Sequence, residues 1–282
     1  MAIAAPSFDL YGSLEPASPI ILSVPHAGRD YPLALRAAIR VPLAGLRPLE
    51  DRHIDAVALA ARGDETMLVQ RHARAWIDLN RGEDERDPHI DGGADRRAMG
   101  MQSAKLRGGL GLIPRRLAST GEIWQRKLDS EEVMGRIAGD HRPYHDLLAR
   151  LLVTARARFG VAVLLDIHSM PPLESGTGIV FGDRFGRSAA ARFVHRLEAE
   201  AMAAGMTGAV NTPYAGGHIL DRHAAPGKGI HAVQIEFDRA LYLDEALDGP
   251  GSGLSQTAQL LRRMIDALAD EALAIPATLA AE

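Results

Sequence analysis

Three apolar runs along the chain end on ionisable side chains. Residues 161–172, VAVLLDIHSMPP, carry five apolar positions in succession, then Asp166 and His168, then the stop of Pro171–Pro172. PIILSVPH (19–26) is a strand halted by proline with His26 just past its end, and IHAVQIEFD (230–238) is a third strand. Strand side chains alternate with period two, so Asp166 and His168 share a face opposite Ile167. By the same rule Gln234 and Glu236 lie on one face, and Val233, Ile235 and Phe237 on the other. TMLVQ (66–70), AWIDL (75–79) and TGIVFGD (177–183) read as further strands.

Helical spacing occupies the intervals. DRHIDAVALAARG (51–63) reads as a helix with Asp51 in its first turn and Gly63 at its end. Residues 130–160 read as one helix or two, divided at Pro143 and ending at Gly160, followed by helices over 187–204 and 254–273. Alternating strands and helices predict a single α/β domain with a mixed, mostly parallel sheet flanked by helices. Residues 1–18 read as an N-terminal extension, and 81–121 as a long charged loop able to act as a lid. The turn-forming NTPYAGG (211–217) is a second loop suited to covering a site. Neither an internal repeat nor an interdomain linker is evident.

Composition narrows the class. The chain has 282 residues, 46% hydrophobic, with net charge -4. Its basic residues are scattered apart from pairs such as Arg96–Arg97 and Arg115–Arg116, which argues against nucleic-acid or anionic-membrane partners. The absence of cysteine excludes disulfides, thiolate zinc sites and cysteine nucleophiles. No signal-peptide pattern opens the sequence and no apolar run reaches membrane-spanning length, so a cytoplasmic protein is expected.

A glutamate buried at position 236 needs a cation, a metal or a proton, because an unpartnered buried charge costs several kcal/mol. Two histidines and a carboxylate from separate elements match a three-ligand zinc site with one position left for water. Histidines at strand ends also serve as satisfied structural residues, and this spacing lacks the specificity of HExxH on a helix. Both readings stand at the level of pattern.

VPHAG (24–28), LEDRHID (49–55), WIDLNR (76–81), RPYH (142–145), DIHSMP (166–171), NTPYAGG (211–217) and QIEFDRALYLDE (234–245) resemble the N-formylglutamate amidohydrolase family. The resemblance spans about residues 19 to 265. It implies a fold of the zinc-carboxypeptidase, phosphorylase/hydrolase-like kind, shared with aspartoacylase-type deacylases. It also implies zinc-dependent hydrolysis of N-formyl-L-glutamate, or a similar N-acyl acidic amino acid, to formate and L-glutamate, a late step of histidine catabolism. By position it implies His26, Asp51 and His168 as metal ligands, with Glu50 and Asp55 as weaker rivals to Asp51, and Glu236 as general base. Asn80 and Arg81 resemble a carboxylate-holding pair, with Arg81 or Arg239 near the oxyanion. Asn211, Gly216, His218 and His145 complete the expected substrate contacts, and Asp166 would orient an imidazole from behind.

Two positions depart from the family pattern. Arg52 and His218 stand where aromatics are expected, and His218 would bear on substrate preference. Ser169 has no GxSxG elbow and reads as a turn residue. His53, His72, His89, His141, His195, His223 and His231 lie on helix or loop patterns without matching partners. A zinc carboxypeptidase and a non-catalytic metal- or ligand-binding protein are the competing functions.

Overall fold

In the computed structural model the described residues are 6–95 and 103–274, so the Arg96–Arg97 pair lies outside them. The chain runs through β1 (Phe8–Tyr11), β2 (Ile20–Val24), α1 (Leu33–Ala38), α2 (Ile54–Ala61) and β3 (Thr66–Gln70). The described residues between β3 and α4 hold α3 (Ala104–Arg107), β4 (Arg116–Leu117) and β5 (Gly121–Glu122). Then come α4 (Ser130–Arg136), α5 (Arg142–Phe159), β6 (Ala162–Met170), β7 (Ile179–Gly182) and α6 (Ala191–Ala203). The last elements are β8 (Gly208–Val210), α7 (His218–His223), β9 (Ile230–Asp238) and α8 (Leu254–Leu273).

Seven strands form one sheet in the order β1-β3-β2-β6-β9-β7-β8. The four central strands β3, β2, β6 and β9 are parallel, while β1 and β7 join antiparallel. β6 is buried along its whole length and β9 along all but its ends, which is why both read as apolar runs. On one face Leu165, Ile167, Val233, Ile235 and Phe237 pack under α2, α6 and α8. On the other Leu164 and Ala232 pack against α5 through Leu148, Leu151 and Leu152. Each fully buried aliphatic side chain contributes about 2 kcal/mol.

The α5 face changes character along the strands. Leu164 is followed on that face by Asp166 and His168, Ala232 by Gln234 and Glu236, and Ile21 by Ser23. Register places Ser23 beside Asp166, Asp166 beside Gln234 and His168 beside Glu236. The polar row therefore crosses three adjacent strands near their carboxyl ends, the usual ligand crevice of open α/β sheets.

Four sequence expectations change. AWIDL (75–79) is not a strand: Trp76 N–H closes a turn on Ala73 O, and the Asp78 carboxylate accepts the Asn80 N–H at 2.8 Å. These local bonds compete with a ladder. The N-terminal extension contains β1, paired along its length with β3. Asp51 precedes its helix, which begins at Ile54 with Asp55 in the first turn, and α1 is an earlier helix the periodicity does not reveal. The 130–160 segment is continuous through a π-helical turn at Ile137–His141, and Pro143 falls directly after that turn without ending the helix.

Candidate metal and hydrolytic site

His26 follows β2 in a turn that Gly28 makes feasible. A Cβ at that glycine would lie 2.1 Å from the His72 carbonyl oxygen, so the chain can pass only without a side chain. The His26 carbonyl accepts the Asp51 N–H at 2.9 Å, which ties the two segments together ahead of α2. His168 Nδ1 then stands 3.1 Å from both His26 Nδ1 and Asp51 Oδ2, and His26 Nδ1 lies 3.6 Å from the same oxygen. All three residues are buried.

The outer nitrogen of each imidazole meets a second carboxylate. His26 Nε2 is 2.8 Å from Asp78 Oδ1, and His168 Nε2 is 2.8 Å from Asp166 Oδ2. Asp166 also accepts from Ser23 Oγ at 2.7 Å, and Ser23 contacts the Tyr144 hydroxyl. Asp78 further accepts from Arg74 Nε at 2.8 Å. Two inward Nδ1 atoms, one carboxylate oxygen and a carboxylate behind each ring form a donor set that fits a divalent ion of the zinc class.

The rival acids are engaged elsewhere. Glu50 accepts from Tyr31 and Arg52, and Asp55 forms a two-bond pair with Arg29. Arg239 donates to Asp51 Oδ1 at 3.1 Å and to Ser169 Oγ at 3.2 Å, beside the same site.

Electrostatics follow from burial and these pairings. Burial would raise the Asp51 carboxyl, but hydrogen bonds from His168 and His26 hold it well below its ordinary value. Burial opposes charge on His168, yet Asp166 beside it raises the imidazole well above its usual range. Burial also drives Glu236 up to about 7, with nearby His168 opposing the rise. Its Oε1 accepts from Gln234 Nε2 at 2.8 Å.

These groups line a cavity of about 460 Å3. Arg74, Arg81, Lys105 and Arg239 outnumber the acids Asp51 and Glu236 on its wall, so it favours an anionic ligand. Arg81 is 3% exposed, and its Nε and Nη1 donate to the carbonyls of Leu110 and Asn80, which leaves Nη2 without a hydrogen-bond partner among the described residues. A buried guanidinium half-satisfied in this way suits a carboxylate. Asn80 holds the far wall: its Oδ1 accepts the Ile219 N–H, and a Cβ at Gly217 would collide with it at 2.4 Å.

Other expected contacts fall differently. Gly216 lines the cavity, whereas His218 lines a neighbouring depression of about 400 Å3. Asn211 is not brought to the cavity: its side chain bonds Asp183 and its backbone turns with φ 61°. His145 is fully buried between Leu79 O and His223, away from the cavity wall. His141 and His223 are not isolated as the pattern suggests: His141 meets His145 and His218, and His223 stacks on His145.

Sequence reasoning missed Asp78 and Arg74, and also Lys105 and Tyr214, which line the cavity. Asp78 carried a signal, being an acid between the buried Ile77 and Leu79. Lys105 and Tyr214 sit in loop-rich stretches where no periodicity points inward.

The profile of the family described as N-formylglutamate amidohydrolase matches residues 18–243. An N-formylglutamate deformylase of Pseudomonas putida is 34% identical over 235 residues, covering 80% of this chain and 82% of that protein. One from Pseudomonas aeruginosa is 29% identical over 266 residues, covering 91% and 93%. The crystal structure of N-formylglutamate amidohydrolase from Ralstonia eutropha JMP134 superposes with a TM-score of 0.83 at 30% identity, covering 95% of this chain and 98% of that one.

Proposed function

The chain belongs to the N-formylglutamate amidohydrolase family, and from that premise we propose that it hydrolyses N-formyl-L-glutamate, or a close N-acyl acidic amino acid, to formate and L-glutamate. The observation that carries the reading is the convergence of His26 Nδ1, His168 Nδ1 and Asp51 Oδ2 on the wall of a cationic cavity that also holds Glu236. These three residues would hold one divalent ion, and the N2O donor set favours zinc. When bound, that ion supplies Lewis acidity toward the amide carbonyl and lowers the pKa of attacking water.

The remaining steps belong to the chain. Glu236, poised near neutrality, accepts the proton as the water oxygen forms its bond to the formyl carbon. The same carboxyl then delivers the proton to the amide nitrogen as the C–N bond breaks, releasing formate and the amine. Arg239, which pairs with Asp51, would stabilise negative charge on the carbonyl oxygen. Arg81 Nη2 binds a substrate carboxylate and so fixes the scissile bond relative to Glu236. Asp78 and Asp166 hold the two rings with Nδ1 inward.

A panel of N-acyl amino acids assayed for released amine tests the reading. Cleavage of N-formylglutamate well above that of neutral N-formyl amino acids supports it. Preference for peptides, or no hydrolysis by the zinc-loaded protein, overturns it.

A further inference from the structure

Behind Arg81 lies a second cluster of imidazoles that the hydrolytic reading does not use. His141, in the π-helical turn before α5, is fully buried, and its Nε2 contacts the Arg81 carbonyl at 2.8 Å. Its Nδ1 has no hydrogen-bond partner among the described residues, and Glu83 Oε1 lies 3.8 Å away. His218, the first residue of α7, has a buried Nε2 that is likewise unpartnered among the described residues. His145 stands between them, with ring centroids 4.3 Å from His141 and 5.3 Å from His218. One nitrogen from each of the three lies within 4.8 Å of the others.

We propose that His141, His145 and His218 form a second divalent-metal site, distinct from the hydrolytic one and selective for a transition ion such as Zn2+. Imidazole nitrogens alone suit zinc, nickel or copper and disfavour magnesium or calcium, which take oxygen. The His141 ring is set up as a ligand: Nε2–H donates to a backbone carbonyl, which fixes the tautomer with Nδ1 bare. His145 joins by exchanging one of its two present bonds, to Leu79 O or to His223 Nε2. Two buried imidazole nitrogens without a hydrogen-bond partner among the described residues are otherwise a cost of about 1–3 kcal/mol each.

The site's position states its purpose. His218 follows the 211–217 loop, whose Pro213–Gly216 portion lines the catalytic cavity, and His141 holds the carbonyl of Arg81. An ion shared by the two would clamp that loop against the residue proposed to bind substrate. The neighbouring depression, lined by His218, gives solvent a route to the cluster.

The test uses the full chain stripped with chelator and titrated with Zn2+ alone. In a His26→Ala/His168→Ala background, which lacks the proposed hydrolytic site, one ion per chain should still bind. Adding His218→Ala, at a half-buried helix start, should abolish it. Native mass spectrometry of the unsubstituted protein gives a second readout that needs no buried substitution: two ions at saturation, falling to one with His218→Gln. No binding by the double variant, or binding that survives loss of His218, overturns the proposal and leaves the buried nitrogens to be bridged by water. Because the background removes the first site, failure here is separate from failure of the hydrolase reading.

Discussion

Glu236→Gln tests the proposed base through both its chemistry and its cost. The carboxyl is 8% exposed, and burial lifts it from an ordinary 4.5 to about 7. At about 1.4 kcal/mol for each factor of ten in proton affinity, this displacement corresponds to about 3 kcal/mol. The sign follows from proton counts. Between pH 4.5 and 7 the unfolded chain has lost this proton while the native chain keeps it, so metal-free stability falls as pH rises through that window. Glutamine is nearly isosteric, keeps an acceptor for Gln234, and does not ionise. In chelator, urea unfolding should find Glu236→Gln more stable than the parent by about 1 kcal/mol at pH 5 and about 3 kcal/mol at pH 8. The same substitution should lower kcat by about a thousandfold, within the range of general-base catalysis. A stability gap equal at the two pH values would refute the raised carboxyl, and activity within about tenfold of the parent would refute its role as base.

Arg81→Ala should raise KM for a dicarboxylate substrate by about 10- to 100-fold, the worth of a charge-assisted bond; an unchanged KM would move carboxylate binding elsewhere. Asp78→Asn and Asp166→Asn should each weaken zinc affinity by about 10- to 100-fold by loosening an imidazole, and isothermal titration that finds parental affinity would contradict the ring-holding role. The acid limb of kcat/KM should have its midpoint no higher than about 7, because the rise of Glu236 to about 7 is opposed by any cation beside it. Activity that increases as pH falls from 7 to 5 would exclude Glu236 as the ionised base.

The central strands and the last helix were legible because burial and chain-breakers bound them on both sides. β9 and α8 fall on the expected residues, and β6 ends just before Pro171. The polar row of the candidate site was legible in part because His168 and Glu236 are polar residues within otherwise apolar buried runs. Asp78 was obscured by its neighbours, since Ile77 and Leu79 mimic a strand while the carboxylate organises a turn. Asp51 was legible as a candidate ligand only through the family resemblance, and not as a residue ahead of its helix, a placement set by its N–H bond to His26 O. The second histidine cluster joins residues 141 and 145 to 218 across the fold. Only the i, i+4 spacing of the first pair was present in the sequence.

Anomalous diffraction at the zinc absorption edge, from crystals of protein purified without chelator, tests the central claim most directly. The account predicts a peak within bonding distance, about 2.0–2.2 Å, of His26 Nδ1, His168 Nδ1 and Asp51, facing Glu236 across the cavity. A zinc-loaded crystal with no density among those three side chains would contradict it.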